Sequence, residues 1–236
     1  MRMKKVLFIA HHRLDRAPGQ RYRFEQYFSY LEDNGVICDL KNIISEEDDK
    51  ILYSHGNYLK KAAIGLKSLR KRKSDLKSIS QYDLVVVFRE AILTSSIFFE
   101  KRLAKSRVPI LFDFDDAIWV KDVSEGNQRL SFLKNPDKIK KILPLVSHVS
   151  AGNSYLKEFA LKYNKSVSII PSTIDTDKYK EIKKFKEGLV TIGWVGSHTT
   201  IKHFETIVPV LIKLKEKYEE KIDFKVIGDP VYCNSD

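Results

Sequence analysis

Three aspartates crowd the segment FDFDDAIW: Asp113, Asp115 and Asp116. Carboxylates this close repel, which raises at least one pKa unless Arg or Lys neighbours offset it. Such a carboxylate accepts a proton from a hydroxyl or holds a sugar hydroxyl. Equally, it binds Arg21 or Arg89 and fixes the surrounding loops. Divalent-metal ligation is a weaker reading, because adjacent residues of a strand point to opposite faces.

A second group lies in HHRLDRAPGQRYRFEQ, which holds His11, His12, Arg13, Arg16, Arg21 and Arg23 around a Pro18-Gly19 turn. Arginine offers forked donors to phosphate or carboxylate. A solvated basic loop is the plainer reading, and two adjacent histidines without cysteine partners give little sign of a metal. A third group is GWVGSHTT. The backbone N–H groups of Gly196, Ser197 and His198 are expected to point above a strand end, where a following helix favours phosphate. An ordinary strand-to-helix turn capped by Ser197 or Thr199 accounts for it equally well.

The fourth group, Asn57–Ser78, carries eight Lys or Arg against one Asp. Leu59, Ala63, Leu66 and Leu69 fall at helical spacing, so the segment is a basic amphipathic helix. It suits an anionic lipid surface contacted through Lys60, Lys61, Arg70 and Lys71. It also suits an outer helix of a sheet with a solvated basic face. No aromatics interleave to stack bases, so nucleic acid is not an expected partner.

The elements that must position these groups are legible as short apolar runs alternating with helical patterns. The runs are 6–10, 36–40, 84–88, 108–112, 148–151 and 167–170, then 190–195 and 224–227. Several lack polar alternation, as strands covered on both faces do. Phe24, Tyr27, Phe28 and Leu31 predict one helical face ending at Gly35. Asn153 is placed to cap a helix carrying Leu156, Phe159 and Ala160. Ile201, Phe204, Val208 and Leu211 form another stripe, which Pro209 kinks or breaks. The alternation implies an α/β, doubly wound parallel sheet with right-handed crossovers. Residues 1–175 read as one Rossmann-like domain, 176–188 as a linker, and 189–236 as an incomplete second Rossmann-like βαβ unit. A lone parallel βαβ piece leaves open edges, so the chain is expected to be the N-terminal part of something longer.

The chain has 236 residues, 43% of them apolar, and a formal net charge of +11. That length buries a core without staples, and the charge invites an anionic partner. Two cysteines exclude a disulfide framework and suit a reducing compartment. The apolar run Val6–Ala10 is shorter than the 7–15 residues or so of a signal core. No window approaches the ~20 apolar residues of a membrane span.

In order, these pieces resemble a family-four (group 1) glycosyltransferase of the GT-B fold. The resemblance rests on Arg21-Tyr22-Arg23 feeding a helix that ends at Gly35, then YDLVVVFREA and ILFDFDDAIW. HVSAGNSYLKEFA, SIIPSTID and TIGWVGSHTTIKHFE follow. It implies an enzyme, retaining in the stereochemical sense and metal-independent, with no cofactor beyond the nucleotide-sugar co-substrate. The acceptor would be a cell-surface glycan or a lipid-linked glycan, and the location cytoplasmic, peripheral on the inner face of the membrane. It implies donor contacts at Gly196, Ser197 and His198, acceptor contacts at His12, Gly19, Arg21 and Arg23, and catalytic roles for Asp115 and Asp116. The paired glutamates of the family's C-terminal domain have no counterpart. The chain alone is therefore expected to be inactive or weakly active, needing the missing half or a complementing subunit. The rival reading is a non-catalytic α/β subunit, membrane-associated or partner-binding, that keeps half of a transferase fold.

Overall fold

The computed structural model describes residues 2–54, 56–120, 135–181, 188–196 and 200–228. They divide into two compact units, Met1–Tyr179 and Lys180–Asp236. In the first unit lie six strands: β1 (Lys4–Ile9), β2 (Val36–Lys41), β3 (Leu84–Phe88), β4 (Ile110–Phe114), β5 (His148–Ala151) and β6 (Val167–Ile169). They form one parallel sheet in the order β2-β1-β3-β4-β5-β6. This is the α/β, Rossmann-like sheet that the six apolar runs predict. The strand order reverses between β1 and β3, the place at the carboxyl edge where open sheets of this kind bind ligands.

Strand alternation sends neighbouring residues to two separate cores. Leu7 and Ile9 of β1, Val85 and Val87 of β3, and Phe112 and Phe114 of β4 fill the larger one. There they meet α5 (Phe98–Ala104), α6 (Lys138–Ile142) and α7 (Ser154–Leu161) through Phe99, Leu103, Ile139, Ile142, Leu156 and Ala160. Phe8, Ala10, Val86 and Phe88 point the other way and pack on Phe24, Phe28 and Leu31. Both faces are covered, which is why the runs lack polar alternation.

The stretch expected as one helical face from Phe24 is broken into α1 (Pro18–Arg23), a 3₁₀ turn (Glu25–Tyr27) and α2 (Phe28–Asp33). Phe24 itself leaves the helical region, with φ −147°. Its ring stacks on Phe8 at 5.1 Å, so packing decides the break. Gly35 ends the segment with φ +79°, a conformation that suits glycine. Asn153 caps α7, its side-chain oxygen accepting from the Leu156 N–H at 2.9 Å.

Beyond β2 come α3 (Glu46–Leu52) and α4 (Tyr58–Asp75). Ser45 and Asp48 form a reciprocal capping box at the start of α3. Helix α4 carries Arg72, which is 1% exposed. Its guanidinium donates to the carbonyls of Ala10 (2.7 Å), Lys41 (2.9 Å) and Ala91 (2.8 Å), and to Asp75 (2.9 Å). One buried cation thus gathers the carboxyl ends of β1 and β2 with the loop after β3. Lys61 of the same helix, expected to contact a lipid surface, is instead buried and donates to the Ser54 carbonyl at 2.6 Å.

The second unit is a single βαβ piece. Strand β7 (Val190–Val195) pairs in parallel with β8 (Ile222–Ile227), with α8 (Ile201–Glu205) and α9 (Val208–Tyr218) between. The helical stripe breaks between α8 and α9, and Pro209 sits in the first turn of α9, where its missing N–H is harmless.

Replacing Arg72 with Met removes the side-chain donor from the carbonyls of Ala10, Lys41 and Ala91 and from Asp75 Oδ2. Arg72→Met is expected to lower unfolding stability by about 3–5 kcal/mol, as loss of one partner of a buried ion pair does. Urea titration followed by circular dichroism checks this; a loss below about 1 kcal/mol would show that water reaches the site.

Candidate functional site

Asp113, Asp115 and Asp116 leave β4 at the carboxyl edge of the sheet, but they do not act as one cluster. Asp113 lies on the face that also carries Leu111, opposite Phe88 and Ser150 in register. Arg23 reaches it there from α1. The Arg23 Nε donates to Asp113 Oδ2 at 3.0 Å, and Nη2 donates to Asp113 Oδ1 and, at 3.0 Å, to Ser150 Oγ. Nη1 donates to the carbonyl of Ile170, just past β6. The side chain of Arg23 is 1% exposed. Expected as an acceptor contact, Arg23 is instead a buried tie between α1 and the ends of β4, β5 and β6. Hydrogen bonding and attraction from Asp113 raise its pKa against the opposing effect of burial.

Asp115 and Asp116 belong to Arg89, the residue following β3. Arg89 has φ +58°, an uncommon backbone for a non-glycine residue. Its N–H donates to the Asp113 carbonyl at 2.7 Å, so the chain turns sharply at the strand end. The side chain then lies over the Phe88 ring, with Nε donating to Asp115 Oδ1 at 2.8 Å and Nη2 also pairing with Asp116. Arginine neighbours therefore compensate all three carboxylates, and the alternative of loop-fixing contacts holds for Arg89. Arg21 pairs elsewhere, with Asp15, donating to its carbonyl at 2.6 Å.

Two glycines frame this pair. A Cβ on Gly19 would stand 3.2 Å from Arg89 Nη2 and 3.4 Å from Asp115 Oδ2. A Cβ on Gly152 would stand 3.1 Å from the Asp115 Cα. Asp115 is thus packed tightly, whereas the Asp116 side chain is 64% exposed. The structure brings together Gly19, Asp115 and Asp116 about Arg89, with Arg23 behind them. An exposed carboxylate oriented by a guanidinium at a strand end can accept a hydrogen bond from a sugar hydroxyl.

The first loop is ordered by its own side chains. Gln20 accepts from the His12 N–H (2.9 Å) and donates to the His12 carbonyl (3.0 Å). Glu25 accepts from Gln20 (2.9 Å) and from the Asp15 N–H (2.9 Å). Arg13 and Arg16 both pair with Asp49 of α3, holding its carboxyl below the usual range against burial. The His12 ring stacks with Tyr53, whose hydroxyl lies 3.3 Å from His12 Nε2. Burial lowers the His12 pKa, and Arg16, Arg13 and Arg89 add to this against the pull of Asp49.

Three residues the sequence did not single out sit beneath these loops. Lys138 of α6 is 3% exposed and donates to Glu90 and to the carbonyls of Ile92 and Thr94. Glu100 of α5 is 2% exposed, and burial raises its pKa. Gly152 has no signature beyond its place after β5. Among the described residues, no group of three His, Cys, Asp or Glu is arranged to hold a metal ion.

On the donor side, Ser197 and His198 lie outside the described residues. Gly196 is described: its N–H donates to the Ile227 carbonyl at 3.0 Å. A Cβ there would stand 2.2 Å from the Trp194 ring and 2.8 Å from Thr200 Oγ1, so only glycine fits.

No protein-family model matches the chain, and no curated protein matches it. Solved structures do. An α-glucosyltransferase in complex with UDP aligns at a TM-score of 0.54 and 12% identity, over 98% of this chain and 60% of that one. An α-glucosyltransferase in complex with UDP and a 13-mer DNA containing a central A:G mismatch aligns at 0.51 and 11%, over 99% of this chain and 58% of that one. This chain spans about three fifths of the length of these structures. At such identities the likeness is one of fold: the chain has the α/β architecture of these glycosyltransferases.

Two measurements test the site's supports. Arg23→Met and Asp113→Asn are each expected to destabilise by about 3–5 kcal/mol, and the double variant by much less than their sum; additive losses would show that the two groups do not act as a pair. His11, at the end of β1, has an Nε2 buried without a partner. Burial first, then Arg72, Lys138, His12 and Arg89, holds its pKa well below the ordinary 6.5. The unfolded chain therefore takes up this proton before the folded one. Stability is full above about pH 6.5 and falls below it, at up to about 1.4 kcal/mol per pH unit. His11→Gln should flatten unfolding midpoints between pH 7 and 5; an unchanged slope would remove His11 from the titration.

Proposed function

We propose that the chain is the acceptor-side domain and the opening of the donor-side domain of a glycosyltransferase of the GT-B fold, in family four (group 1). The observation that carries this is the Arg89-held pair Asp115–Asp116, beside the switch point of a sheet whose fold is shared with UDP-bound glucosyltransferases. In this reading a sugar moves from a nucleotide-sugar to a hydroxyl of a cell-surface glycan or lipid-linked acceptor. The bond from the sugar's anomeric carbon to the diphosphate oxygen breaks, a bond to the acceptor oxygen forms, the acceptor hydroxyl's proton passes to the departing diphosphate, and the nucleoside diphosphate leaves. Asp116 holds the acceptor hydroxyl or the sugar being transferred, and Arg89 fixes the carboxylate that does so. Gly19 allows close approach, and His12 and Arg21 line the acceptor side. The resemblance assigns Gly196, Ser197 and His198 to the donor diphosphate. In the family that the chain resembles, helix dipoles and basic side chains stabilise the leaving diphosphate, and the same resemblance implies retention and no need for a metal.

The acceptor class follows from the resemblance, and the matched glucosyltransferase structures that contain DNA leave nucleic acid as an arm of the test. The second reading, a non-catalytic subunit, predicts acceptor or lipid binding without nucleotide-sugar binding.

Transfer from UDP- and GDP-sugars is measured on the chain completed with a donor-side half, with lipid-linked glycans and with oligonucleotides as acceptors. Asp116→Asn is expected to lower transfer by about 10²-fold or more, with donor affinity changed less than threefold. Undiminished transfer would take Asp116 out of the reaction. In the completed protein, lipid binding with no detectable nucleotide-sugar binding would replace the enzyme with the non-catalytic reading.

A further inference from the structure

The loop after β3 begins on a strained residue. Arg89 is held at φ +58°, in the left-handed region that non-glycine residues enter at a cost. Such a conformation persists only where the surrounding structure over-determines it. The backbone supplies two contacts. The Arg89 N–H donates to the Asp113 carbonyl at 2.7 Å, and the Glu90 N–H to the Phe88 carbonyl at 2.7 Å. From Ala91 to Thr94 the loop is held by side chains of three helices instead. Arg72 of α4 donates to the Ala91 carbonyl at 2.8 Å, and Glu100 of α5 accepts from the Ala91 N–H at 3.4 Å. Lys138 of α6 donates to the carbonyls of Ile92 (3.0 Å) and Thr94 (3.0 Å) and to Glu90 Oε2 (3.2 Å).

The three clamps differ in reach. Arg72 also serves the ends of β1 and β2, so its loss is felt across the sheet. Glu100 makes one long contact and leaves Oε2 without a partner. Lys138 is dedicated to the loop. An ammonium has three N–H donors and no acceptor, and all three end on residues 90–94. Its side chain is 4% exposed, so the loop rather than water satisfies the charge. Removing an ammonium from water is costly unless its donors are met. The bonds therefore act in both directions: the loop satisfies the charge, and the charge fixes the loop. Ile139 and Ile142, buried in the larger core, anchor α6, so the core sets where the ammonium stands.

The same residue borders the candidate site. Arg89, Glu90, Ile118, Asn135 and Lys138 line one small cleft. The Ile118 N–H donates to the Asp116 carbonyl at 2.8 Å, so the cleft joins the clamped loop to the segment that carries the aspartates.

We infer that Lys138 is a positioning residue for the group Arg89, Asp115 and Asp116. Its ammonium locks Glu90–Thr94, the locked loop keeps Arg89 in its left-handed turn, and that turn aims the guanidinium at the two carboxylates. Lys138 spends no donor on either carboxylate. Its part in a reaction rests on the reading of Asp116 as the carboxylate that meets the acceptor or the transferred sugar. Its hold on Arg89 does not.

The Arg89 Nε–H is followed by nitrogen–proton NMR in the 236-residue chain, its signal assigned by its disappearance in Arg89→Lys. Lys138→Met, similar in length but without donors, is expected to speed exchange of this proton with solvent by roughly tenfold or more. Glu90→Gln, at a partly exposed partner of the same ammonium, is expected to speed it about threefold. Ile79→Ala, a cavity-forming change in the core ahead of β3, is expected to lower unfolding stability and yet alter this exchange less than about twofold. On the completed protein, Lys138→Met is expected to lower kcat for transfer by about tenfold, with the donor KM changed less than about threefold.

Unchanged Arg89 exchange in Lys138→Met, or an equal rise in Ile79→Ala, would overturn the inference in favour of a lysine that only stabilises the fold. Should Lys138→Met fail to fold, wild-type exchange in Glu90→Gln overturns it. Undiminished transfer by a Lys138→Met protein whose Arg89 is loosened would remove Lys138 from the reaction. A wild-type protein that transfers no sugar, with Arg89 loosened in Lys138→Met, would sink the transferase reading and uphold the hold of Lys138 on Arg89.

Discussion

A guanidinium buried in a protein keeps its charge and its several N–H donors, and those donors need protein acceptors. The carboxyl edge of this sheet is organised by that constraint, met twice. Arg72 satisfies it with the carbonyls of Ala10, Lys41 and Ala91 and the carboxylate of Asp75. Arg23 satisfies it with Asp113, Ser150 and the Ile170 carbonyl. Parallel strands end in carbonyls whose sheet partners have run out, so acceptors are concentrated where the arginines arrive. Each group thus resolves the other's unpaired state, and together they tie all six strand ends or the loops after them.

Those ties position the candidate site without entering it. With Asp113 held by Arg23, the chain after β4 emerges fixed, and Asp115 and Asp116 project toward Arg89. The left-handed turn at Arg89 aims its side chain across Phe88 rather than along β3. Gly19 and Gly152 leave no spare volume around Asp115. The most exposed member, Asp116, is therefore the one presented to solvent on a rigid support. This separation of buried, positioning charge from exposed, available charge is what a binding site on strand ends requires.

The same division shapes the surface. The net charge of +11 is not spread evenly. In the first loop Arg13 and Arg16 meet Asp49, and Arg21 meets Asp15. On α4, by contrast, Arg70 and Lys73 face outward beside exposed leucines. Local ion pairing, more than net charge, decides which part of a basic protein carries an outward field.

The sequence by itself determined the six-stranded parallel sheet and the βαβ unit after it. Runs such as LVVVF at 84–88 and HVSA at 148–151 have one physical explanation, strands covered on both faces, and local capping by Asn153 and Gly35 is equally local in origin. It also placed the aspartates and the basic loop at strand ends, since that follows from element order alone. Tertiary structure decided which arginine meets which aspartate. Arg23 and Arg89 are alike in sequence, but one is drawn inside by Asp113 and Ser150, residues 90 and 127 positions away. Tertiary structure also decided which face of α4 is inward. Periodicity puts Leu59, Ala63, Leu66 and Leu69 on one face, but Leu69 packs against the core, and spacing cannot reveal that the carbonyls of Ala10, Lys41 and Ala91 hold the helix through Arg72. Side-chain spacing is a local property, whereas the acceptors that settle a buried charge come from distant parts of the chain.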